Sequence, residues 1–195
     1  MKKVLLGLLA LSATLMAESL ENTGSSADQS IQINTKAYVI DSGLIITTDE
    51  NGTSSIQNIE LDHGRILATK EASSTVKKDI FIKKSNSQAF PNETTLNIAL
   101  NSEDNFLKNG DSTIAHTLTA TPDATGTAIS LSGDSKEAIG NFEVGAGKSS
   151  VKVTLQSAIA SGALTNGNFA DGDYTNTSTL KVKISKIPSA TSTSR

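Results

Sequence analysis

Apolar and polar residues alternate with a period of two through most of this chain, in short runs separated by turn residues. Successive strand side chains point to opposite faces, so each run predicts a half-buried β-strand. The first run, residues 30–39, can set Ile31, Ile33, Thr35, Ala37 and Val39 on one face and Gln32, Asn34, Lys36 and Tyr38 on the other. After the turn Asp41-Ser42-Gly43 comes a β-branched run at 44–48, then Asn51-Gly52, a pair that readily takes positive φ. Residues 56–61 fit neither helical nor strand period cleanly. The alternation returns at 75–84, with Val76, Lys78, Ile80 and Ile82 on one face, and at 94–101, with Leu96, Ile98 and Leu100 inward. Residues 102–112 are polar and turn-rich, with Phe106 and Leu107 as a plug. Further runs carry Ile114, His116, Leu118 and Ala120, then Val151, Val153 and Leu155, and last Leu180, Val182 and Ile184. Residues 156–164 leave room for one helical turn, and no long amphipathic helix appears. Short alternating strands between turns predict an all-β, immunoglobulin-like β-sandwich.

The two ends depart from this pattern. Lys2 and Lys3 precede an apolar run at 4–16 broken only by Gly7, Ser12 and Thr14, and Ala17 supplies a small residue for cleavage. That is the form of a secretory signal peptide over residues 1–17. Residues 18–29 are polar and aperiodic, so 18–38 reads as a flexible lead and an N-terminal strand. The sandwich domain then spans 39–187, and the Ser/Thr-rich 188–195 reads as a disordered tail. The chain has no cysteine, which removes disulfide stapling and lipoprotein anchoring from an exported domain.

Charge narrows the partners. Acidic side chains outnumber basic ones, 20 to 17, and losing Lys2 and Lys3 widens the difference. An acidic surface argues against nucleic acid and anionic lipid. The one basic cluster, Lys77, Lys78, Lys83 and Lys84, reads as a solvated, lysine-protected strand edge.

Candidate chemistry is sparse. Gly145-Ala146-Gly147-Lys148-Ser149 resembles the end of a phosphate loop. The motif's first glycine is replaced by Phe142, and a strand rather than a helix follows, so a hairpin turn accounts for these glycines. Asp49, Asn51 and Glu60 faintly resemble a calcium loop whose sixth-position glycine is Ser54. Asp171 and Asp173 could donate oxygens to calcium and are more simply turn formers. His63 falls in a turn, and His116 on an apolar strand face as a core or edge imidazole; no third ligand has metal spacing near either. No serine sits in a nucleophile elbow. The expectation is therefore no catalytic residue, no cofactor and no metal.

The opening Ile31-Gln32-Ile33-Asn34-Thr35-Lys36-Ala37-Tyr38-Val39-Ile40-Asp41 resembles the start of mature colonisation-factor-type fimbrial major subunits, the cysteine-free alpha class of the chaperone-usher pathway. Residues 151–158, the step Ala170-Asp171-Gly172-Asp173-Tyr174 and the closing strand at 180–184 resemble the end of those pilins. The polar lead at 18–29 and the tail beyond Ile184 depart from their pattern. The resemblance implies a sandwich lacking one strand, filled by a donor strand from a neighbour, with Ile31, Ile33, Thr35, Ala37 and Val39 as the subunit interface. Burying the four apolar members would contribute on the order of 4–10 kcal/mol before ordering costs. It also implies a head-to-tail homopolymer, a periplasmic chaperone and an outer-membrane usher as partners, a host surface receptor as ligand, and a cell-surface fimbrium as location. The same alternation equally serves a strand that completes its own sandwich in a monomeric periplasmic or secreted binding protein.

Overall fold

A computed structural model of the chain describes residues 28–33, 38–39, 43–67, 71–164, 169 and 171–186, with 28–33 and 38–39 followed as backbone. The lead before Asp28, the tail after Lys186 and the interface candidates Thr35 and Ala37 lie outside the described residues.

Thirteen strands are described: β1 (Asp28–Ile33), β2 (Tyr38–Val39), β3 (Leu44–Thr47), β4 (Asn58–Ile59), β5 (Ser74–Lys84), β6 (Thr95–Ser102), β7 (Phe106–Asn109), β8 (Ser112–Ala115), β9 (Thr117–Pro122), β10 (Ile129–Leu131), β11 (Glu137–Glu143), β12 (Ser150–Ile159) and β13 (Ser178–Lys186). One sheet runs β11-β6-β13-β1-β2, with β4 against β1; a second runs β10-β9-β12-β5-β3, and β7 and β8 form a separate two-stranded sheet. The pairings are antiparallel except β1 with β4. The fold is a β-sandwich, as the alternation predicts.

The inner faces meet in one core. Leu96, Ile98 and Leu100 of β6, with Leu180 and Val182 of β13, face Ile80 and Ile82 of β5 and Val151, Val153 and Leu155 of β12, all fully buried. Phe90 fills the crossover from β5 to β6, its amide donating to the carbonyl of Lys148 at 2.8 Å. A smaller cluster of Ile114, Ile159 and Leu164 closes one end, with Leu107 packed on it.

Five sequence expectations change. Residues 30–39 are not one straight strand: β2 folds back on β1, setting Gln29 opposite Val39 and Ser30 opposite Tyr38. The polar stretch 102–112 holds a hairpin, β7–β8, turning through Gly110 at φ +58. Backbone pairing there needs no apolar alternation, which is why the sequence pattern hides it. The 145–149 turn is no hairpin either, since it carries the chain from β11 in one sheet to β12 in the other. The lysine cluster does not mark a plain edge. β5 lies between β12 and β3, and β3 covers only its 81–84 end. Lys77 and Lys78 sit exposed on the uncovered half, whereas Lys83 is buried under the 49–52 turn. Last, 156–159 continues β12 rather than starting a helical turn.

Candidate functional site

The predicted interface residues fall on β1 and β2. Along its whole length β1 pairs with the last strand, β13: Ile31 lies opposite Leu180, Gln29 opposite Val182 and Ile33 opposite Ser178. Its Ile33 end also pairs in parallel with β4, Ile33 against Ile59. These neighbours are buried: Leu180 and Val182 fully, Ser178 and Ile59 almost so. β1 therefore occupies a slot between the closing strand and β4. That slot gives backbone hydrogen bonds on both sides and lies beside the core. Val39 sits outermost, on β2.

Beside the Ile33 end of the slot, the only two histidines of the chain converge on one serine. Ser157 lies two residues beyond Leu155 on the inner face of β12, where the alternation puts it. Its Oγ is 2.8 Å from Nε2 of His63 and 3.1 Å from Nδ1 of His116. His63 is fixed at its other nitrogen by Ser74 Oγ of β5 at 2.9 Å. His116 sits buried between β8 and β9, and its Nε2 has no hydrogen-bond partner. A cavity of about 20 Å³ opens there, walled by Leu61, Leu107, Leu118, Asn176 and Ser178 with Ser157. Burial disfavours the charged imidazole at both sites. It lowers His63 from its ordinary value, against the pull of Asp62, and takes His116 down to about 4. His63 opposes charge on His116 as well; Asn176 and Asp104 favour it more weakly. Asp104 is held below the usual carboxylate range by its hydrogen bond with Lys108.

Several of the other sequence candidates have structural contacts. Lys148 binds the carboxylate of Asp123 at 2.7 Å and closes its turn through Gly147 at φ +74. Asp49 accepts from the Asn51 amide at 2.8 Å, and the carbonyls of Glu50 and Gly52 accept from the Lys83 ammonium at 2.8 and 3.1 Å. An internal cation thus takes two backbone carbonyls of that turn. The backbone carbonyl of Asp171 accepts from Asn109. His116 is buried, as its place on an apolar face predicts, but the expected strand 113–120 breaks at His116 itself, between β8 and β9 in different sheets. The serine that joins it to His63 is invisible to spacing, because Ser157 lies 41 residues from one ring and 94 from the other.

Comparison with known proteins gives no match: no family model, no curated protein and no solved structure is similar to this chain.

Proposed function

We propose that the chain is a structural subunit of a surface fimbria, exported and then polymerised by exchange of its N-terminal strand. The observation that carries this reading is the position of β1, antiparallel to the last strand and parallel to an early one, in a slot bordered by buried core residues. Without β1, the backbone of β13 loses its partner on that side, and Leu180 and Val182 lose their register partners Ile31 and Gln29. A second copy carries the same sequence and so can supply the same strand. Repeated head to tail, that contact builds an open polymer rather than a closed ring. The reading places an immunoglobulin-like domain at the cell surface. It gives the chain a periplasmic chaperone that covers the slot in transit, an outer-membrane usher, and adhesion to a host surface receptor as its use.

The test is an unboiled denaturing gel of surface-sheared material carrying wild-type chain or Ile33→Asp. Wild type should give a ladder that collapses to one band on boiling. The variant should give no ladder, because it sets a carboxylate opposite buried Ser178 and Ile59 without a partner charge. A ladder that survives the substitution contradicts the assignment of the strand.

One observation favours a second reading, a monomeric secreted or periplasmic binding protein: β1 already pairs within its own molecule. Under that reading the wild type runs as a single band without boiling.

A further inference from the structure

We propose that the His63–Ser157–His116 chain is an acid-operated latch on the β1 slot. Uncharged, it pins the β4 wall of the slot to the opposite sheet; protonated, it lets that wall move and frees the strand. The inference deepens the assembly reading and depends on it for its use.

The argument begins with proton counting. A serine hydroxyl has one proton to donate and two lone pairs to accept with. With both rings neutral, one imidazole donates to Ser157 Oγ and Oγ donates to the other, so both contacts are hydrogen bonds. A proton added to the accepting nitrogen leaves Oγ facing N–H groups on both sides and takes away the acceptor of its own O–H. A proton added instead at Nε2 of His116 creates a charged donor in a cavity of about 20 Å³, where the Asn176 side chain favours the charge less than desolvation opposes it. The cavity holds about one water molecule, too little to solvate an imidazolium.

The chain also has the right location. His63 lies four residues beyond Ile59 of β4, and its ring fastens the loop after β4 to Ser74 of β5 and Ser157 of β12 in the opposite sheet. Leu61 of that loop and Ser178 at the start of β13 both wall the cavity. Ile59 and Ser178 are the two register partners of Ile33. Breaking the chain therefore unpins the β4 border of the slot, beside Ser178 of β13, at one end of β1.

The surrounding charges do not rescue the protonated state. Asp62 favours charge on His63, and Asp104, paired with Lys108, favours it on His116; His63 also opposes charge on His116. The strands packed against the pair contribute Ser74, Leu118, Ser157 and Ser178, none of them charged. Desolvation outweighs both carboxylates, which is why both rings titrate below an ordinary histidine.

Hydrogen–deuterium exchange on the full mature chain tests the latch. Rates are taken at about pH 7.5 and about pH 5, corrected for intrinsic exchange and referred to β12. Protection of 28–33 should fall on the order of 30-fold at the lower pH, the ratio set by a His116 titration displaced from 6.5 to about 4. A His63→Gln, His116→Gln double variant keeps hydrogen-bonding side chains without a titration and should show no such fall. If that variant does not fold, β1 protection in wild type should fall progressively across the window between about pH 6.5 and the folded His116 midpoint near 4, that midpoint being read from its ring protons by NMR. Unchanged protection, the same fall in the variant, β12 opening in step with β1, or a fall lying outside that window would each overturn the latch. An unboiled gel of the same wild-type sample judges the assembly reading separately: no ladder at about pH 7.5 contradicts assembly, while the exchange rates still decide the latch.

Discussion

Ser157 is a polar residue at a position the sandwich would otherwise fill with an aliphatic side chain, and it survives there because two imidazoles satisfy it. Ser157→Ala removes the bridge and leaves two inward-facing ring nitrogens without partners. The expected cost is about 1–3 kcal/mol, read as a lower urea midpoint at neutral pH. The acid response has a definite sign. His116 titrates near 4 in the folded chain and near 6.5 unfolded, so the unfolded state binds more protons between those values. Stability is complete above about pH 6.5 and falls by about 3 kcal/mol as pH drops to about 4. Urea midpoints across that window should decline in wild type, and a flat profile contradicts the burial of an uncharged His116. The inward position of His116 was legible from the alternation around Ile114 and Leu118. Its partnership was not, because only the packing of the β4 loop onto β12 brings His63 to Ser157.

At the scale of the element, the period-two rule performs best where one face is fully buried. Leu96, Ile98 and Leu100, and Val151, Val153 and Leu155, lie inward as the sequence predicts, because a slip of one residue would expose every one of them. The rule fails where backbone pairing or a local turn decides. The β7–β8 hairpin has little buried alternation, and the fold of β2 onto β1 breaks a run that looks continuous in sequence. Lys83 looked solvated because alternation puts it on the outer face, yet the 49–52 turn caps it with two carbonyls. Glycine, too, carries information that composition hides. A Cβ on Gly140 would lie 2.7 Å from Cε2 of Phe142 and 2.8 Å from Cγ2 of Ile129, so the Phe142 ring lies where a side chain would be. Gly140→Ala should destabilise by about 1–3 kcal/mol in urea unfolding by displacing that ring or the facing strand. Wild-type stability in this variant would mean that β11 is free to shift away from β10.

For the whole molecule, the decisive matter is whose β1 fills the slot. A strand within the same chain and a strand from a neighbour make the same backbone hydrogen bonds in the same register, so local chemistry does not distinguish them. Chain identity does. The absence of cysteine makes an introduced pair unique, and Gln32 lies directly opposite Thr179 across β1 and β13. Antiparallel partners of this kind stand within disulfide reach. The measurement is therefore to co-express Gln32→Cys and Thr179→Cys as separate single variants in an oxidising compartment and run the surface fraction on a non-reducing, boiled gel. Assembly by strand exchange predicts a covalent dimer containing one of each chain, absent when either variant is expressed alone. A mixture that remains monomeric, while the double variant Gln32→Cys, Thr179→Cys closes its disulfide within one chain, would contradict the account.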